Sequence, residues 1–231
     1  FLIYLRLNYL SIIHHKTASE KDRSEKKTQH VRIFNYDIEF FSYIQLLDLF
    51  EEIFILQVYK FSHLGAAPVI LDCGSNIGLS VLFFRKLYPA CQIMAFEPDY
   101  DTFQVLKNNV MKNNLRDIAL FNYALGDTEE QKIMYKDNSG HSFPTMTLTG
   151  SSEEKEQGQV YAKKLSAYIH EKIQLVKVDV EGSEVSVIKE LIHAEKINMI
   201  ERMIIEYHPL LTDITAEKFI ADIESTGFTC T

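Results

Sequence analysis

The sequence predicts a doubly wound α/β fold built on a mostly parallel sheet, and three observations carry that prediction. Val69-Ile70-Leu71 runs into Asp72 and the small-residue loop Cys73-Gly74-Ser75-Asn76-Ile77-Gly78, after which Leu79 to Leu87 has helical apolar spacing. That order reads as a buried strand, a tight turn and a crossover helix. Strand and helix patterns then alternate with short connections, as in a parallel sheet covered on both faces. A length of 231 residues suits one such domain with modest additions.

Taken in order, Phe1 to Ile13 places Phe1, Leu2, Leu5, Tyr9, Ile12 and Ile13 on one helical face. The segment carries Arg6 and Asn8 and is too short for a spanning helix, which takes about 20 residues, so no integral membrane segment is expected. His14 to His30 is polar and mixed in charge and reads as a linker, with His14, His15 and His30 facing solvent. Two alternating runs between Val31 and Tyr43, around Asn35-Tyr36-Asp37, predict a hairpin, and Leu46 to Phe61 predicts a helix that Gly65 to Pro68 ends. Residues 1–65 thus read as an accessory cap, and residues 66–231 as the main domain.

In that domain strand 1 is Val69 to Cys73, and its helix ends before Pro89 because a residue preceding proline avoids the helical region. Strand 2 is Gln92 to Phe96, with a helix opened by Pro98 and Asp99, and strand 3 is Ala119 to Ala124. Lys132–Tyr135 and Thr145–Thr149 suggest an excursion around Gly140 and Pro144, Ser151 to Gln159 a surface loop or frayed helix, and Ala162 to Ile169 a helix. Strand 4 is Leu175 to Val180, helix Val185 to Ile192 follows, strand 5 is Met203 to Tyr207, and Ala216 to Thr226 is helical. Phe228 reads as the start of a further strand. The chain opens without methionine and stops at Thr231, so truncation at both ends and missing C-terminal strands are expected.

Hydrophobic residues at 46% and charged residues at 24% describe a globular chain able to bury a core, and a net charge of −8 argues against general attraction to nucleic acid or anionic membrane. Cys73, Cys91 and Cys230 are odd in number and lack metal-ligand spacing. They read as reduced thiols of a cytoplasmic protein, Cys73 and Cys91 serving as small buried hydrophobes.

The loop after strand 1 selects its ligand by what it lacks. A dinucleotide fingerprint counted from Gly74 needs glycine where Asn76 and Leu79 stand, and no Gly-Lys-Ser/Thr follows for a phosphate loop. Asp72 would repel a pyrophosphate. Gly74 and Gly78 let backbone approach a ligand closely, and Asn76 tolerates left-handed backbone. Glu97, at the carboxyl end of strand 2, can accept both hydrogen bonds of a ribose diol. An acid suited to a cationic amino group, together with a diol acceptor, describes S-adenosylmethionine.

At this point VILDCGSNIGLSVLFF, AFEPDYDTFQVLKNN, NYALGD, VKVDVEGSEVSVIKEL and IIEYHP, in that order, resemble the FkbM-type methyltransferases over about Val69 to Pro209. The resemblance implies a Rossmann-like, seven-stranded class I fold and S-adenosylmethionine-dependent O-methylation of sugars, glycans or natural products. It implies that Asp72, Gly74, Asn76, Gly78 and Glu97 surround the cofactor, with Ser75 inside the loop and the turn Ala124 to Asp127 near the adenine. It departs from the family at Leu165-Ser166, where a Leu-Asp pair is common.

An alcohol nucleophile must lose its proton, so a base is expected at the strand ends beside the loop. By alternation Asp179 and Glu181 share one side of strand 4, and Glu206 and His208 one side of strand 5. Asp179 or His208 is the expected base and Glu181 the group that orients substrate. Glu184 either favours the positive end of its helix or joins the site. Asp179, Glu181, Glu206 and His208 also carry metal-ligand chemistry, but spacing alone does not establish a metal and none is expected. The expected partner is a small-molecule or glycan acceptor, with no nucleic acid. RNA or protein as methyl acceptor, and a non-catalytic binding module on the same fold, are the alternatives.

Overall fold

The computed structural model describes residues 28–61, 63–136, 146–147 and 155–231. The segment Phe1 to Ile13 with its expected helical face, nearly all of the expected linker with His14 and His15, and the loop expected around Gly140 and Pro144 lie outside the described residues. His30 is exposed in the first strand.

The cap begins as a hairpin, β1 (Gln29–Ile33) paired antiparallel with β2 (Tyr36–Phe40). Its alternation buries Val31, Ile33, Ile38 and Phe40. Helix α1 (Tyr43–Phe50) follows, with the Ser42 hydroxyl accepting the Ile44 N–H at 3.3 Å. It starts earlier than the expected Leu46 and widens into a π-helical turn, Glu51–Leu56, before Gln57 ends it in a left-handed conformation. A π-turn adds a residue per hydrogen-bonded ring, so it rotates the helical face and blurs the 3.6-residue pattern.

The main sheet is five parallel strands in the order β11-β10-β3-β4-β5. These are β3 (Val69–Cys73), β4 (Gln92–Phe96), β5 (Ile118–Phe121), β10 (Leu175–Val178) and β11 (Met203–Ile205). Successive strands add outward on one side from β3 to β5, then restart beside β3 with β10. That reversal is the switch point of a doubly wound fold, where ligands bind at the carboxyl ends of the strands. Helices α2 (Leu79–Leu87) and α3 (Tyr100–Lys112) and the cap share one hydrophobic cluster with Ile70, Ile93 and Leu175. Helices α4 (Glu184–His193) and α5 (Ala216–Glu224) cover the other face, over Leu71, Val176 and Val178. Asn109 of α3 fastens the cap to this frame. Its Oδ1 accepts the Glu39 N–H at 2.7 Å, and its amide donates to the carbonyls of Glu39 and Ile77 at 2.9 and 2.8 Å.

Several sequence boundaries are corrected. Asp99 caps α3, accepting the Thr102 N–H at 2.8 Å, so Pro98 precedes the helix rather than opening it. Strand 3 ends at Phe121, and the Asn122 side chain turns the chain by donating to the carbonyls of Glu97 and Pro98, each at 2.9 Å. Ala124–Leu125 is a separate strand, β6, in a second sheet of order β6-β9-β7-β8, with β7 (Gln131–Lys136), β8 (Met146–Thr147) and β9 (Lys155–Lys163). The expected polar loop, where described, and the start of the expected helix at Ala162 therefore belong to β9. Of Gly158 to Lys163 only Ala162 is buried, so this ribbon shows no apolar alternation. Only a 3₁₀ turn, Leu165–Tyr168, remains of that helix. Strands 4 and 5 each stop two residues early, at Val178 and Ile205, and no strand forms from Phe228 on. Cys73 and Cys91 are buried free thiols. Among the described residues no helix is long and apolar enough to cross a membrane.

Candidate active site

A cavity of about 300 Å³ opens at the switch point. One wall is the loop after β3 and the end of β4. The other is the segment after β10, and the cap closes the side with Gln45, Asp48, Leu49 and Glu52 of α1 and its π-turn.

The loop is held by main chain. The Gly74 and Ser75 N–H groups both donate to the Phe96 carbonyl, at 3.0 and 2.8 Å. Gly74 (φ 83°) and Asn76 (φ 48°) are left-handed, as the sequence leads one to expect of glycine and asparagine. A side chain at Gly74 would put its Cβ 1.7 Å from the Asp179 carbonyl oxygen, so the loop lies directly against the end of β10. Gly78 is the N-cap of α2 and presses on Leu106, where a Cβ would come within 2.7 Å. The Ser75 hydroxyl donates to the Asp72 carbonyl at 2.8 Å, inside the loop.

Glu97 is buried and lines the cavity. Its Oε2 accepts the Asn76 N–H and its Oε1 the Asp99 N–H, both at 2.9 Å. Burial pushes this carboxyl up to about 8, and the two N–H donors offset only part of that. Ala124 lines the same cavity with Tyr123 and Leu125. Asp127 is not among the lining residues. It is exposed, with Oδ1 3.9 Å from the Lys132 ammonium.

Asp72 sits differently from the sequence expectation of a group facing a cationic ligand. It is wholly buried beneath the loop and is not among the residues lining the cavity. Its Oδ2 accepts from the Ser80 hydroxyl at 2.6 Å, while Oδ1 has no hydrogen-bond partner and lies 3.7 Å from the Lys177 ammonium. Burial pushes the carboxyl up, against the pull of Lys177. Strand register explains the pairing, because Lys177 lies directly beside Asp72 across the β10–β3 ladder.

The opposite wall is built from charge. Asp179 and Glu181 both line the cavity although β10 has already ended, so their common side comes from the turn rather than from strand alternation. Asp179 Oδ2 accepts from the Lys177 ammonium at 3.0 Å and from the Tyr59 hydroxyl at 3.4 Å. Glu181 is left-handed at φ 52°, an unusual conformation for a glutamate. Its Oε2 lies 3.2 Å from His208 Nε2. His208 Nδ1 lies 2.9 Å from Glu184 Oε1, and Glu184, wholly buried, also accepts the N–H groups of Val180 and Gly182. Glu184 is thus more than a helix-end charge. His208 is raised to about 9, by its hydrogen bond to Glu184 first and the Glu181 charge next, and its imidazole lies between the carboxyl groups of those two residues. Glu181 is pushed up to about 7 by burial and by the Asp179 charge. Burial and Asp179 do the same to Glu206, also to about 7.

Asp179, Glu206 and His208 bring one carboxylate or imidazole atom each within 4.8 Å of one another. Both nitrogens of that imidazole already face carboxylates. Sequence reasoning missed Lys177, Tyr59 and Glu52. Lys177 carried a legible signal, since a lysine inside a continuously apolar strand must be paired to be buried. Tyr59 and Glu52 carried none, because only the fold of the cap brings them to strand 4.

The fold and cavity together define a doubly wound α/β protein with a cavity at its switch point. The chain belongs to the Methyltransferase FkbM domain family, which matches residues 72–228. It is 26% identical over 199 residues to Methyltransferase 1 of Beauveria bassiana, covering 77% of this chain and 79% of that protein. It is also 26% identical to the methyltransferase sdnD of Sordaria araneosa, covering 64% of this chain and 70% of that one. Among solved structures it is similar to the methyltransferase FkbM of Methylobacillus flagellatus, at 18% identity and a TM-score of 0.40, covering 58% of this chain and 31% of that chain. Methyl transfer is therefore the class of reaction.

Proposed function

We propose that the chain transfers a methyl group from S-adenosylmethionine to a hydroxyl oxygen of a sugar, glycan or natural-product acceptor bound in the switch-point cavity. The observation that carries this reading is Glu97. Each of its oxygens is fixed by one backbone N–H, at 2.9 Å, and each carboxylate oxygen keeps a lone pair for a neighbouring hydroxyl. That donor set fits the diol of a ribose. Gly74, Asn76 and Ala124 supply the rest of the cofactor wall. Bound there, S-adenosylmethionine supplies an electrophilic methyl group on a sulfonium.

The chain's own residues align the acceptor and remove its proton. Glu181 is assigned as the base, because it lines the cavity and His208 holds its carboxylate from behind. Its carboxyl near 7 is matched to neutral pH. Asp179 is better suited to orient the acceptor, with one oxygen committed to Lys177 and Tyr59. His208, already protonated, is better suited to stabilise the Glu181 carboxylate than to accept a proton itself. These roles differ from the sequence expectation for all three residues. Alignment of the reacting atoms within the cavity supplies the remaining rate enhancement, about 7 kcal/mol in favourable cases.

Calorimetry with S-adenosylmethionine, followed by incubation with methyl-labelled donor and separate pools of neutral polyols, RNA and protein, tests the reading. Saturable binding and label in alkali-stable ethers of the polyol pool are expected. Label only in RNA or protein would move the acceptor to another class. No binding at millimolar donor would leave a binding module on a methyltransferase fold.

A further inference from the structure

Lys177 handles no proton in the chemistry above, yet its buried ammonium reaches both walls of the cavity. It is 2% exposed in the centre of β10. Its ammonium has three hydrogens to place. One goes to the Gly74 carbonyl at 2.6 Å and one to Asp179 Oδ2 at 3.0 Å. Asp72 Oδ1 stands farther off, at 3.7 Å, and the Tyr59 ring centroid lies 5.2 Å from the nitrogen. Burial disfavours the charge, but Asp179, Tyr59 and Asp72 outweigh it and hold the lysine protonated.

The order of these distances separates two roles. A lysine present only to neutralise buried acid would sit against Asp72, a wholly buried carboxylate whose Oδ1 has no hydrogen-bond partner. The ammonium instead lies closest to a neutral peptide carbonyl in the loop after β3. Its next partner is the carboxylate at the end of β10, on the opposite wall. Both partners line the cavity.

We infer that Lys177 is a positioning residue, tying the Gly74 peptide of the cofactor wall to the Asp179 carboxylate of the acceptor wall so that both walls hold one geometry. The inference rests on the methyl-transfer reading for what the two walls bind. It does not need the acceptor to be identified, because S-adenosylmethionine alone probes the loop.

The test uses the full chain with Lys177→Met, the double variant Asp72→Asn/Lys177→Met and Lys177→Arg, each read by thermal unfolding and by calorimetry with S-adenosylmethionine. Lys177→Met leaves two carboxylates without their cation, so it should lower the melting temperature and weaken the donor at least tenfold. The double variant removes one charge of each sign and should recover most of the melting temperature while remaining at least tenfold weak. Recovery of wild-type affinity in the double variant would reduce Lys177 to charge balance and overturn the inference, as would wild-type affinity in Lys177→Met. Should the neutral variants fail to fold, Lys177→Arg decides. A planar guanidinium does not reproduce the tetrahedral donors, so affinity should still fall severalfold, and unchanged affinity would overturn the inference. Absence of donor binding by the wild-type chain would instead sink the methyl-transfer reading.

Discussion

The two walls of the cavity are built by different physics. On the donor side the main chain does the holding. Glu97 accepts two backbone N–H groups, and the loop hangs from the Phe96 carbonyl. On the other side charges hold charges: Lys177 with Asp179, and His208 between Glu181 and Glu184. Peptide hydrogen bonds do not titrate, so the donor loop keeps its shape across pH, and Glu97, near 8, is the titrating group held on that backbone frame. The acceptor wall contains two carboxyls near 7 and an imidazole near 9, so its charge changes within the working range. A rigid wall suits tight binding of a common cofactor. A titrating wall suits a step in which a proton has to leave.

The sharpest way to break this division is to strike the point where the walls touch. Gly74→Ala should do so. Its Cβ would fall 1.7 Å from the Asp179 carbonyl oxygen, and the backbone at φ 83° suits no other L residue well. The left-handed conformation alone costs roughly 1–2 kcal/mol, and because the clash is with backbone rather than a flexible side chain the total should exceed about 4 kcal/mol. Urea unfolding should show that loss, and calorimetry no donor binding in whatever fraction folds. A variant that loses less than about 1 kcal/mol and still binds would mean that the walls do not meet at Gly74.

The same division explains what the sequence could and could not reveal. The donor wall was legible, because Val69 to Gly78 is contiguous and its strand, left-handed turn and helix each leave a local pattern. Glu97 was legible as the acid ending an apolar strand. The acceptor wall was legible only as composition. Asp179, Glu181, Glu184, Glu206 and His208 were visible as a group, but their roles depend on contacts between separate strand ends. Strand alternation, the tool used to orient them, stops at Val178 and Ile205, before any of these side chains. Asp72 was misplaced for a related reason. An acid at a strand end looks ligand-facing until the neighbouring strand supplies Lys177 in register. The polar ribbon β9 was missed because its described side chains alternate no apolar face, and the cap's contribution because a π-turn disrupts helical spacing.

A second experiment sharpens the comparison by neutralising the acceptor wall alone. Glu181→Gln keeps the shape of the side chain and removes the base. With any acceptor the enzyme turns over, kcat should fall by about 10²–10⁴-fold, the usual contribution of a positioned base. A base works in its deprotonated form, so wild-type kcat should rise with pH through about 7 and then level, and the variant should lose that limb. Donor affinity should stay near wild type, because the cofactor wall is untouched. A variant that turns over within a few-fold of wild type, with the limb intact, would move the base to Asp179.

The smallest effect belongs to the donor wall, and its sign follows from burial. In the free protein Glu97 is pushed up to about 8, so at pH 7 its carboxyl is mostly protonated. Two hydroxyl donors from a ribose favour the ionised form and draw its pKa down. Binding should therefore release a proton at pH 7, and affinity should rise with pH until the free carboxyl has ionised near 8. Calorimetry in two buffers of different ionisation enthalpy measures that proton directly. Glu97→Gln has no proton to release and offers one acceptor oxygen in place of two. It should bind the donor about tenfold more weakly, or about 1.4 kcal/mol, with no buffer dependence. Buffer-independent binding by the wild-type chain would mean that Glu97 is already ionised when the donor arrives, or that the diol lies elsewhere. The first result would overturn only the upward shift of the free carboxyl, whereas the second would remove the assignment of the donor wall to Glu97.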